Sequence, residues 1–169
     1  MSRICFDAVL FRSNEAGEGI LLSLPRDASA KLPSRGMTVV EGTINAVPVR
    51  AVLEPDGKES HWFKVSDSIL NAAGAGAGDT VALEIAPAKE WPEPTIPVDL
   101  SEALRIDPEA QEIWKAITPS VRWDWIRWIG AAKQLETRKR RVVSIGSRLR
   151  AGKRRPCCFD RSQCTLTEA

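Results

Sequence analysis

The chain has 169 residues, 43% of them hydrophobic and 27% charged, and a formal net charge of +2. That length suits one ordinary domain or two small ones, and the composition excludes wholesale disorder. The charge is uneven: Met1–Glu90 carries 9 basic and 12 acidic residues, Trp91–Ala169 carries 15 and 10, and Val121–Arg161 carries 13 against 3. A basic half behind a mildly acidic half implies an anionic partner for the C-terminal part, or contact between the halves.

The first residues, "MSRICFDAVLFRSNEAGEG", alternate in polarity and meet charges early, so they read as a strand and not as a signal peptide. No apolar run approaches the roughly 20 residues that a membrane-spanning helix needs. The expectation is a cytoplasmic protein with reduced thiols.

The chain opens with β-structure. "ICFDAVLFR" and "GILLSL" are short strand-like runs bounded by turns. "MTVVEGTINAVPVRAVLEPDG" predicts two strands joined near Asn45, with Pro48 restricted to an edge or the start of a strand. "HWFKVS" is a further strand. "DSILNAAG" reads as a short helix, capped by Asp67 or Ser68 and ended by Gly74. "GDTVALEIAP" is the last strand. "SRGMTVVEG" and "GAGDTVALE" share G-x-T-V at a spacing of 42 residues, which predicts two equivalent units in a barrel with pseudo-twofold symmetry. In the second copy Gly78 supplies an unusual backbone angle, and Asp79 can hydrogen-bond nearby turn amides.

Three prolines, Pro92, Pro94 and Pro97, crowd the stretch that follows and mark a linker. The pattern then becomes helical. "DLSEALRID" is a short helix, and "DPEAQEIWKAI" is a second with Asp107 as its cap and Pro108 in its first turn. "TPSVRWDWIRWIGAA" and "LETRKRRVVSIGSRLRAG" complete a helical unit whose last two members are expected to be antiparallel neighbours.

Helical geometry sorts the side chains of those two helices. Advancing 100° per residue puts Val121, Trp125, Trp128, Ile129 and Ala132 on one apolar stripe, with Arg122, Arg127 and Lys133 outside it. Leu135, Val142, Ile145, Gly146 and Leu149 make a second stripe, and Arg140, Arg141 and Arg148 lie opposite, facing water. Arg138 falls on the apolar side of its own helix. A charge there survives only when paired, and the best local carboxylate is Asp124, with an acidic barrel residue next. The tryptophans therefore read as packing, except Trp123, which lies off the stripe and could stack on a nucleobase. Lys133, Arg140, Arg141 and Arg148 are the candidate anion-binding groups.

Other constellations are weaker. Cys157, Cys158 and Cys164 offer three thiols, but the adjacent pair chelates awkwardly and a fourth ligand is missing, so reduced thiols are favoured over zinc. Cys5 belongs to a predicted core strand. His61, the single histidine, stands beside Trp62 and near Glu59 at a strand start, which excludes any multi-histidine metal site. "NAAGAGAGD" lacks the lysine and hydroxyl of a phosphate loop. No serine sits in G-x-S-x-G. No catalytic constellation, metal site or cofactor is expected.

"EGTINAVPVRAVLEPDG", "AAGAGAGDTVALEI" and "WIGAAKQLETRKRRV", in this order, resemble the YdeI/OmpD-associated, or bacteriocin-protection, family of bacteria. The first two match its N-terminal domain of unknown function and the third its helical C-terminal region, spanning roughly Ile4 to Gly152. Lys133, Glu136, Thr137, Arg138 and Arg141 form its most specific block, although Leu135 stands where a proline often precedes E-T-R. The G-D-x-V element around Asp79 is shared with cradle-loop and double-psi barrels, some of which bind DNA. The resemblance implies a compact barrel with a helical appendage and carries no catalytic residues.

The expected architecture is thus α+β: a small double-psi or cradle-loop-like β-barrel at residues 1–90, a linker at 91–97, an antiparallel helical unit at 98–155 and a cysteine-bearing tail at 156–169. The expected function is non-enzymatic binding or stress protection, with basic helices meeting an anionic protein surface, nucleic acid or lipid surface. The alternatives are a DNA-binding regulator that also uses barrel loops, and an enzyme or carrier with a pocket between barrel and helices.

Overall fold

In a computed structural model, which describes residues 2–13 and 19–156, the chain forms two compact units divided after Pro92. The first is a closed six-stranded barrel with strand order β1-β2-β5-β4-β3-β6, in which every neighbouring pair is antiparallel. Its strands are β1 (Ile4–Arg12), β2 (Ile20–Ser23), β3 (Thr38–Ile44), β4 (Val47–Pro55), β5 (His61–Val65) and β6 (Thr80–Pro87). The helix α1 (Arg26–Ala30) separates β2 from β3, and α2 (Asp67–Ala73) separates β5 from β6.

The barrel interior follows from side-chain alternation. In β1, Ile4, Ala8 and Leu10 are buried while Cys5, Asp7 and Val9 are exposed. Leu22, Val40, Ile44, Leu53, Phe63, Val81, Leu83 and Ile85 join them in one interior cluster. Cys5 is therefore not a core residue: it falls on the outward phase of its strand, opposite Glu84. Leu21, Val39, Val52 and Trp62 belong to the opposite phase yet are buried too, so β2 to β5 are covered on both faces.

Turns set the register. Asn45 and Ala46, with φ of 46° and 67°, link β3 to β4, and Asn45 Oδ1 accepts from the Ala82 amide at 2.9 Å. Pro48 lies second in β4, opposite Thr43. Gly78 (φ 90°) and Asp79 turn the chain into β6: Asp79 Oδ2 accepts from the Gly76 amide at 2.9 Å, and Gly78 N–H donates to the Leu10 carbonyl at 2.7 Å. At α2 the N-cap differs from expectation and the C-cap does not. Its N-cap is Ser66, whose side chain makes no capping bond, while Gly74 ends it in the left-handed region as expected.

The barrel has the expected pseudo-twofold topology, since exchanging β1, β2 and β3 with β4, β5 and β6 leaves the strand order unchanged and the two G-x-T-V copies open the equivalent strands β3 and β6, but the copies are not in register. Thr38 is buried and Val39 points outward, whereas Thr80 is exposed and Val81 points inward. The two copies are one residue out of phase, and such a slip reverses every side chain.

The second unit contains α3 (Val98–Arg105), α4 (Pro108–Ala116), α5 (Pro119–Gly130) and α6 (Leu135–Arg150). Asp107 caps α4 by accepting from the Ala110 amide at 3.1 Å. Leu100, Leu104, Trp114, Val121, Trp125, Trp128, Ile129, Val142, Ile145 and Leu149 form its core. Among the described residues, no helix is long and apolar enough to cross a membrane.

Gly42 is the tightest point of the barrel. A Cβ there would come within 2.8 Å of the Glu84 carbonyl carbon and of Ile85 Cα, so β3 and β6 approach only because this residue has no side chain. Gly42→Ala is expected to destabilise the protein by about 3 kcal/mol in urea unfolding, since backbone must shift to admit the methyl group. An unchanged midpoint would show that the strands are not this close.

Candidate functional site

The helical unit carries the basic residues singled out above, and its packing divides them. Trp125 is fully buried and Trp128 is 8% exposed, with ring centroids 5.7 Å apart in an edge-to-face arrangement. Trp125 Nε1 donates to the Arg154 carbonyl at 2.9 Å, which pins the chain just beyond α6. The guanidinium carbons of Arg141 and Arg148 each lie 5.0 Å from the Trp128 ring centroid, and Arg141 also donates to the Trp128 carbonyl.

Arg141 and Arg148 are seven residues apart and share one side of α6. They are half-buried, not free in water as the helical projection alone predicts. The projection gives the angle of a side chain but not the neighbour waiting there. Arg140 points to solvent from α6, and Lys133 is exposed in the connection before it. Among the described residues, none of these four cations pairs with a carboxylate. Two guanidinium groups are thus fixed in place by cation–π contact, with two exposed charges nearby in sequence.

Arg138 does not pair with Asp124. Its guanidinium grips Asp99 of α3, with Nε donating at 2.7 Å and Nη2 at 3.1 Å. The pair is partly exposed, 30% at the arginine and 42% at the aspartate, so it sits at the edge of the core. Asp124 is 1% exposed and pairs with Arg155. The local carboxylate lost because α3 lies against α6, a tertiary fact that spacing along one helix does not contain. Arg127, placed off the stripe by its angle, is also buried, so α5 is covered around more of its girth than one stripe. Leu135, placed on a stripe, is 66% exposed because it is the first residue of α6.

Arg122 has a role with no sequence signal. Its guanidinium donates to the carbonyls of Trp114, Lys115 and Ile117 at 3.0, 2.9 and 2.8 Å, closing the open end of α4, and it pairs with Glu93.

The barrel unit holds a separate polar cluster. His61 is 1% exposed: its Nε2–H donates to the Gly36 carbonyl at 2.9 Å, which leaves Nδ1 to accept from the Ser29 hydroxyl at 2.7 Å. These bonds fasten α1 and the approach to β3 onto β5. An open cavity of about 360 Å³ beside it is lined by Arg35, Pro55, Gly57, Glu59, Ser60 and His61. Glu59 has a φ of 70°, unusual for a residue with a side chain. Cys157, Cys158 and Cys164, the cysteines considered for zinc, lie outside the described residues.

A closed antiparallel barrel followed by four short helices defines a two-part α+β protein. Residues 93–152 match the family described as bacteriocin-protection, YdeI or OmpD-associated, and residues 6–85 match a domain of unknown function, DUF1905. The barrel unit is thus similar to one domain of unknown function and the helical unit to the YdeI/OmpD-associated type, in that order along the chain. No curated protein matches it.

The hydrogen bonds from Arg138 hold the Asp99 carboxyl below the usual carboxylate range, against a smaller opposing push from partial burial. A lowered folded pKa contributes stability that is present above the unfolded value of about 3.9 and lost as pH falls through the folded value. Asp99→Asn is therefore expected to cost about 0.5–1 kcal/mol at neutral pH, a figure already discounted for solvent exposure. The gap between variant and parent should close in acid, as read from urea midpoints across pH. A gap that is constant with pH would contradict the pairing.

Proposed function

We propose that this is a non-enzymatic binding or stress-protection protein whose helical unit meets an anionic partner through Lys133, Arg140, Arg141 and Arg148. The observation that carries the reading is the seating of two guanidinium groups on Trp128, with no carboxylate among the described residues to neutralise them. Cations pre-positioned on an aromatic ring lose little freedom when they bind, which favours affinity for a flat or extended anion.

The family's printed description, bacteriocin protection, fits a binding role and names no reaction. Burial of Trp125 and Trp128 argues against base stacking on these rings. DNA binding, if it occurs, would rest on phosphate contacts and show weak sequence preference. The small-molecule reading has the cavity beside His61 and Glu59 in its favour, within the barrel unit.

Binding to a polyglutamate chain and to duplex DNA, measured at several salt concentrations, tests the proposal. Affinity should fall steeply with salt, and a variant with Lys133→Glu and Arg140→Glu should flatten the dependence by about one unit of log–log slope for each lost contact on DNA. Both changes are at exposed positions, so circular dichroism should be unaltered. Binding that ignores salt and both substitutions would refute the basic-face reading.

A further inference from the structure

The chain does not leave the helical unit where α6 ends. Gly152, with a φ of 81°, turns it, and the amides of Gly152 and Lys153 donate to the carbonyls of Leu149 and Arg148, each at 3.0 Å. Two contacts hold the residues that follow. The Trp125 indole N–H donates to the Arg154 carbonyl at 2.9 Å, and Arg155 pairs with the buried Asp124. Residues 152–155 are thereby a fixed strap.

The strap forms one wall of a pocket of about 280 Å³ at the junction of α4 with α5. The floor is apolar: Ile113 and Ile117 from the end of α4, Val121 from the first turn of α5 and Leu149 from the last turn of α6. Val121 and Leu149 belong to the core, and both isoleucines are half-buried against it. Polar groups enter the lining from two places only. The strap contributes Lys153 and Arg154, and the α4–α5 junction contributes Thr118, whose hydroxyl makes no capping bond.

Charge is unbalanced here. Among the described residues no carboxylate lines the pocket, and neither Lys153 nor Arg154 pairs with one. The acidic groups nearest in sequence are already engaged, Glu112 by Lys115 and Asp124 by Arg155. An apolar floor beside two uncompensated cations matches a ligand of two parts, hydrocarbon for the floor and an anion for the cations. A sugar or nucleoside needs polar partners spread over the wall, which this lining lacks. A bare inorganic anion would leave the floor wet.

We propose that this pocket binds a single short alkyl carboxylate, its chain on Ile113, Ile117, Val121 and Leu149 and its head beside Lys153 and Arg154. The volume limits the chain. At roughly 30 Å³ for each water-sized group the pocket holds about nine, so a chain of about eight carbons fills it. The site uses none of Lys133, Arg140, Arg141 and Arg148, and it stands or falls apart from the basic-face reading.

Titration calorimetry of the full chain with butanoate, hexanoate, octanoate and decanoate tests the assignment. Affinity should rise about two- to fourfold for each added methylene, with the gain fading beyond octanoate. Lys153→Glu combined with Arg154→Glu should weaken octanoate about tenfold and leave octan-1-ol unaltered. Ala116→Phe, at an exposed position in the lining, should crowd the pocket and weaken both ligands. Lys133→Glu combined with Arg140→Glu should change neither. Circular dichroism keeps loss of fold distinct from loss of binding. No saturable binding of octanoate, an affinity indifferent to chain length, or octan-1-ol binding as tightly as octanoate would overturn the proposal. So would octanoate binding that survives the Lys153 and Arg154 substitutions, or that weakens equally with those at Lys133 and Arg140.

Discussion

The contact on which the helical unit depends is the stacking of Arg141 and Arg148 on the indole of Trp128. It is one interaction with two consequences. It seals the edge of a core otherwise built from Trp125, Ile129, Val142, Ile145 and Leu149, because the two half-buried guanidinium groups lie over the ring. It also fixes where positive charge is displayed. Stability and one half of the candidate binding surface, Arg141 and Arg148, therefore share the same atoms, whereas Lys133 and Arg140 display charge without a packing role.

Several other polar contacts of this unit act at helix ends. Arg122 closes the carbonyl end of α4, Arg138 fastens α6 to α3, and Trp125 with Asp124 secures the residues beyond α6 through Arg154 and Arg155. Each anchors a helix terminus, where backbone groups lack partners within the helix. Arginine suits the task because its fork donates in several directions at once. The barrel is held by different means, with closure removing sheet edges and Gly42 permitting the close passage of β3 and β6.

Much of the fold is legible in the residues themselves. The alternation in "ICFDAVLFR" marks β1 from Ile4 to Arg12, Asn45 marks the turn between β3 and β4, and Asp107–Pro108 marks the start of α4. These signals are local, and local chemistry decides them. The short α1 escapes notice because five residues cannot display a helical period. The G-x-T-V echo marks the equivalent strands β3 and β6 of a pseudo-twofold barrel but misplaces their register by one residue, because composition repeats while strand phase does not. The candidate site is only half legible. A helical projection orders Arg138, Arg141 and Arg148 around α6, but Asp99 and Trp128 reach them from other helices, and no single-helix pattern carries that information. Leu135 and Val143 show the same limit in reverse: their apolar character is plain, while their exposure depends on what fails to cover them.

A double-mutant cycle between Arg141 and Trp128 tests the central claim most directly, with Arg141→Met and Trp128→Leu made singly and together and stability read from urea unfolding. A stacked, partly desolvated pair predicts a coupling of about 1 kcal/mol, beyond the larger cost of shrinking Trp128 itself. Strictly additive losses would mean that the guanidinium and the indole do not interact, and the helical unit would need another explanation for both its packing and its charge display.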